Sequence, residues 1–135
     1  MKARTVRHVL QPDDSRVCGQ VAVAVITGKT LEEVCVVVGH RKSTKTRDLI
    51  AALKELKRDC AGSRCIPTRS FFDEKEGTFL AQVRGTCITD VKCNWHWAAV
   101  HGGLVYDGNE EGPVPLRLYQ HLPGRIITSI LEVKS

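Results

Sequence analysis

Among six cysteines and five histidines, one of each stands in a setting suited to nucleophilic chemistry. Cys18 lies at the start of an apolar run, Val17–Ile26, reading VCGQVAVAVI. If that run is helical, the free N–H groups and positive dipole end of the helix face the thiol and favour the thiolate, its nucleophilic form. Gly19, next in the chain, has no side chain to hold a substrate backbone at a distance, so it is expected to border the substrate. His96 begins a second β-prone run, HWAAV, whereas His8 stands in a leading extended segment, His40 in a basic loop, His101 in a turn and His121 in a Leu-Pro loop. The hairpin after HWAAV returns along LVYD and brings Asp107 opposite the start of that strand. There a carboxylate can accept the Nδ1 hydrogen of His96 and hold Nε2 toward Cys18, which gives a nucleophile, a base and an orienting group. Gln11, across a turn from Cys18, can aim its side-chain amide at the same space. With the Cys18 backbone N–H it would form an oxyanion hole.

These residues need elements to hold them. Val6–Leu10 is β-prone and reads as a leading strand, ended by Gln11-Pro12-Asp13-Asp14-Ser15, whose Pro and Asp residues break regular structure. Periodicity alone leaves Val17–Ile26 open between buried strand and buried helix, and Gly28 suits a helix stop. Thr30 with Glu33 three positions on is a capping box for a second helix that ends at Gly39 and carries Cys35 into the core. A third helix is expected after Thr46 as N-cap, with Leu49, Ile50, Leu53 and Leu56 inward and Lys54, Glu55 and Lys57 toward water. Beyond Asp59 the pattern turns to sheet. Arg64–Arg69 holds a short strand, Phe71–Gly77 is a polar loop and Thr78–Val83 is a strand. Trp95–Val100 and Leu104–Tyr106 form a hairpin about His101-Gly102-Gly103, and Arg125–Val133 is the last strand. Trp95 and Trp97 share the face opposite His96, one in the core and one beside the cleft, with Trp97 expected to touch substrate. The expected class is α+β, with N-terminal helices packed on a C-terminal antiparallel sheet in one domain over residues 1–135.

Composition narrows the setting. In 135 residues, 42% are hydrophobic and 26% charged, the balance of an ordinary globular domain. The net charge of +5 comes from 20 basic residues scattered among 15 acidic ones, and only 5% are aromatic. Stacking platforms for bases are therefore scarce, and the basic stretch Lys29–Arg58 reads as a solvated face rather than a nucleic-acid patch. It could still attract an acidic protein or polymer. No secretory signal or 18-residue apolar run is visible, so a cytoplasmic, non-membrane protein is expected. The six cysteines could be zinc ligands, disulfides, or one reactive thiol among inert ones. Cys60 and Cys65, and Cys87 and Cys93, are spaced more widely than in most zinc ribbons. A reducing cytosol disfavours disulfides. In an extended segment Cys93 and His96, three apart, point to opposite faces and do not share a metal. No metal and no cofactor are expected.

Gln11, the DSRVCGQ segment, HWAAV and the VYDG turn resemble the papain-like fold, and most closely the peptidase C39-like group, over Gln11–Asp107. That group shows, in this order, a Gln before a turn, a Cys-Gly at a helix start, a His-Trp or similar strand, and an Asp at the end of the next strand. The resemblance implies that Gln11 is the oxyanion donor, Cys18 the nucleophile, His96 the general acid and base, and Asp107 the orienter. The hairpin between His96 and Asp107 is shorter than in many members, and no transporter or export segment accompanies it.

Three functions fit such a site. A peptidase or isopeptidase would form and hydrolyse an acyl-enzyme on a peptide or protein substrate. A glutamine deamidase or acyl transferase would share the acyl step, and a peptide-binding module would keep the cleft without turnover. The four residues together favour an enzyme. The site begins so near the N-terminus that no inhibitory propeptide is expected. A narrow substrate follows, such as a Gly-rich peptide tail, while the oligomeric state is left open.

Overall fold

In the computed structural model of the chain, described over residues 6–13, 15–68, 72–84 and 95–134, three helices precede a six-stranded antiparallel sheet. Cys87 and Cys93 lie outside the described residues, as do residues 1–5 and Arg69 to Phe71.

The Val17–Ile26 run resolves as a helix, α1 (Cys18–Thr27), in which every residue after Cys18 is buried. A helix apolar all round has no solvent face to present, and α1 accordingly packs against the sheet on one side and the next two helices on the other. It stops at Gly28, whose φ of 72° is left-handed and whose N–H is donated to the Ala24 carbonyl. Helix α2 (Leu31–Val38) starts with the expected capping box: Thr30 Oγ1 accepts from the Glu33 N–H at 3.1 Å, and Glu33 Oε1 accepts from the Thr30 N–H at 3.0 Å. Cys35 is buried. Helix α3 (Thr46–Glu55) begins one residue earlier than expected. Lys45 takes the cap position, because its backbone N–H is donated to the Asp48 carboxylate at 2.8 Å, and Thr46 is the first helical residue. Leu49 and Leu53 face the core as predicted, with Ile50 and Leu56 packed at its margin.

The strands are β1 (Ile66–Pro67), β2 (Thr78–Arg84), β3 (Trp95–His101), β4 (Leu104–Tyr106), β5 (Val114–Pro115) and β6 (Ile126–Val133), in the order β1-β6-β2-β3-β4-β5. A short helix, α4 (Leu116–Tyr119), separates β5 from β6. The turn between β3 and β4 joins His101 to Leu104 through Gly102 and Gly103, both at positive φ, which matches the right-handed twist of the strands. Alternate residues face opposite sides. Leu80, Trp97, Ala99 and Leu131 meet the helices, and Ala81, Val83, Ala98 and Val100 meet Leu116 and Tyr119 on the far face.

One expectation about the strands changes. The segment Val6–Leu10 forms no strand. Its neighbour is a turn with no ladder to extend, and Val6 and Val9 pack against the core instead. The basic stretch is exposed at Arg41, Lys42, Lys45, Arg47, Lys54 and Lys57, as a solvated face is, while Arg58 at its end donates to the carbonyls of Ile26 and Lys134.

Gly19 is buried, and the space its missing side chain leaves is filled from within the protein. A Cβ there would collide with Thr44 Oγ1 and come within 3.0 Å of Leu49 Cδ2. Gly19 thus seats the loop before α3 against α1, and the expectation that it borders substrate gives way to a packing role. Gly19→Ala is expected to lower stability by about 1–3 kcal/mol, as overpacking does. Part of that loss returns in a Thr44→Ala background, and urea unfolding of the two single variants and the double variant measures it.

Candidate active site

His96 and Asp107 meet across the β3–β4 hairpin. Ala99 pairs with Tyr106, so one step further the register sets Asp107 across from Ala98, two residues along β3 from His96 and on the same face. This diagonal placement is within reach of long side chains. It differs from the expected placement opposite the start of the strand, and it also reverses the ring. His96 Nε2, the far nitrogen, donates to Asp107 Oδ2 at 2.8 Å. The expectation that Nδ1 would face the aspartate is therefore corrected: a carboxylate two residues along the strand is met by the outer end of the ring. With Nε2–H donated to Asp107, Nδ1 is the nitrogen that carries a lone pair in the neutral imidazole.

Asp107 is fully buried. Its Oδ2 also accepts from the Tyr119 hydroxyl at 2.6 Å, its Oδ1 accepts from the Asn109 N–H at 2.9 Å, and Arg125 Nε stands 3.7 Å away. Burial pushes this carboxyl up, but the hydrogen bond and charge of His96 and the bonds from Tyr119 and Asn109 outweigh it and hold the group at about 2. Tyr119 is shifted the other way. Burial and the neighbouring carboxylate raise its phenol far above the usual value, so it stays a donor. Arg125, only 4% exposed, donates to Glu110 Oε2 at 3.2 Å and sets a cation beside the aspartate. Tyr119 and Arg125 were not legible as site residues, since one sits on a four-residue helix after Pro115 and the other at the head of a strand.

Gln11 is brought to the same region by the turn that follows Asp107. Its backbone N–H is donated to the Gly108 carbonyl at 2.9 Å, and three residues earlier His8 Nε2 donates to the Glu110 carbonyl at 2.7 Å. The side chain is oriented by Nε2, which donates to the Ser15 carbonyl at 3.1 Å, leaving the second amide hydrogen for another acceptor. A Cβ on Gly108 would lie 2.8 Å from Gln11 Cβ and 3.0 Å from Val21 Cγ1, so only glycine lets the two segments approach this closely.

Cys18, His96 and Gln11 line one cleft of about 480 Å³, Cys18 as the first residue of α1. The loop 43–45 with the first residue of α3 forms another wall, and Trp95 and Trp97 a third. Trp97 is buried and donates its indole N–H to the Thr44 carbonyl at 3.4 Å, so it is mainly core and support for that loop. Trp95 is the aromatic ring open to solvent, at 49% exposure. Asp107 lies behind His96 rather than on the cleft surface.

The other described cysteines, Cys35, Cys60 and Cys65, are unpaired by disulfides, and burial raises the thiol pKa of each. Among the described residues no group of three or more His, Cys, Asp and Glu side chains is arranged to hold a metal, and no helix is long and apolar enough to cross a membrane. Comparison with known proteins adds no family: no protein-family model matches the chain, and no curated protein gives a significant match.

The low value of Asp107 sets a pH dependence. Its folded-state pKa lies below the ordinary 3.8, so the stabilisation is present above about pH 4 and is lost as pH falls toward 2. Its size is about 2 kcal/mol. Chemical denaturation at a series of acid pH values should show this loss in the wild type and not in Asp107→Asn.

Proposed function

We propose that the chain is a cysteine hydrolase of papain-like type, acting on an amide bond of a peptide or protein. One observation carries the reading: the thiol at the start of a buried helix shares a cleft with a histidine whose outer nitrogen is fixed by a buried carboxylate. The arrangement of a cysteine-bearing helix against an antiparallel sheet that supplies the histidine and aspartate supports the papain-like assignment.

In the proposed reaction His96 Nδ1 takes the Cys18 proton, and the thiolate adds to the substrate carbonyl carbon. Negative charge passes to the carbonyl oxygen, where the backbone N–H groups at the start of α1 and the unengaged amide hydrogen of Gln11 receive it. The imidazolium, steadied by Asp107, returns its proton to the departing amine as the C–N bond breaks and a thioester forms. Water, deprotonated by His96, then releases the carboxylic acid and regenerates the thiol. Asp107 stays ionised throughout, as its strongly lowered pKa requires.

Intact-mass spectrometry during turnover of a peptide mixture should reveal a hydroxylamine-sensitive adduct on Cys18. Cys18→Ala should abolish both the adduct and product while retaining the folded circular-dichroism spectrum. A folded Cys18→Ala protein with full activity would overturn the assignment. Gln11→Ala is expected to lower kcat by about a hundredfold with a small change in KM, the signature of one lost oxyanion donor.

A further inference from the structure

The cleft that holds Cys18 is cationic, and its basic side chains sit on a fixed frame. Arg16, two residues before Cys18, lies on one side, and Lys45 lies in the loop wall. Among the described residues, none that lines the cleft carries a carboxylate. Asp107 is buried behind His96, and the Asp48 carboxylate is turned to the Lys45 backbone N–H. Among the described residues neither Arg16 nor Lys45 forms an ion pair, whereas Arg41, in the same basic segment, is bound to Glu32.

The wall that carries Lys45 is tied down from inside. Gln20, wholly buried and two residues beyond Cys18, donates its amide to the carbonyls of His40 at 3.2 Å and Lys42 at 2.9 Å. The Lys42 N–H is donated to His40 Nδ1 at 3.0 Å. Trp97 holds the Thr44 carbonyl, and Gly19 receives the Thr44 side chain. The helix that presents the thiol and the wall opposite it are thus one structure, and the backbone that carries Lys45 is held in place relative to that helix. Trp95 adds an exposed ring at the same cleft.

We infer that the substrate segment entering this cleft is acidic, with an Asp or Glu side chain near the reacting carbonyl seated between Arg16 and Lys45. The inference rests on the proposed role of Cys18 only for the reacting carbonyl; the preference for a carboxylate belongs to the cleft. Each exposed cation is expected to contribute up to about fivefold, and the effect should weaken as salt is added.

Two haloacetyl reagents of similar size, anionic iodoacetate and neutral iodoacetamide, read the charge without a known substrate. Rates at Cys18 are followed by peptide mass mapping and normalised to N-acetylcysteine. Relative to iodoacetamide, iodoacetate should slow about tenfold in the Arg16→Gln, Lys45→Gln double variant, and also in the wild type in 0.5 M salt. An unchanged ratio in the double variant overturns the inference while labelling by both reagents leaves Cys18 a reactive thiol. If neither reagent labels Cys18, the hydrolase reading fails. The acidic preference is then decided by the Cys18→Ala protein, through Trp fluorescence titrations with a Glu-containing peptide and its Gln counterpart. At least fivefold tighter binding of the Glu peptide, lost in the Arg16→Gln, Lys45→Gln background, supports the inference. Equal binding of the two peptides, or an oligonucleotide that competes as well as the Glu peptide, overturns it.

Discussion

Taking the Asp107 carboxylate out of water costs several kcal/mol unless donors replace the lost hydration. Here they come from three places in the chain, His96 on β3, Tyr119 on α4 and the Asn109 N–H in the following turn, and the Arg125 guanidinium ahead of β6 adds its positive charge 3.7 Å away. Each of those elements is therefore held to the hairpin by the same charge. The turn after Asp107 in turn binds the N-terminal segment through Gly108 and Glu110, and that contact delivers Gln11. A single buried anion orders the histidine, the glutamine and the far side of the sheet together.

The thiol reaches the site by a different route. Helix α1 is buried along nearly its whole length, so its position follows from the packing of Val and Ala side chains between sheet and helices. Only its first residue emerges into the cleft. Gln20 and Gly19, the next residues, anchor the opposite wall through its carbonyls and through Thr44. Two frames result, a helical one carrying Cys18 and a sheet one carrying His96, and they meet at the cleft through packing rather than through a loop free to move.

Much of this was legible because local signals agree with tertiary ones. The capping box at Thr30, the Gly102-Gly103 turn and the β-prone runs of β2 and β3 each name one conformation, and each is adopted. Cys18, His96, Asp107 and Gln11 could be singled out because residue type and element position coincide at each. The alternating Val-Ala run was ambiguous, since only burial on all sides decides between strand and helix. Arg125 and Tyr119 were not visible because their roles arise from contacts with Asp107 across 18 and 12 residues, and nothing in their own neighbourhoods marks them. Val6–Leu10 misled for the converse reason: β propensity was present, but a strand forms only where a ladder offers a partner. The His96 ring was read the wrong way round because orientation depends on a diagonal register that spacing alone does not give.

The central claim is that His96, held by Asp107, activates the Cys18 thiol. Its most direct test is the rate of iodoacetamide alkylation of Cys18 in the folded protein from pH 4 to 9. Selective labelling of Cys18, with an apparent pKa well below the roughly 8.5 of a free thiol and lost in His96→Ala, is the expected result. A Cys18 that stays inert across this range, or whose rate is indifferent to His96→Ala, would contradict it.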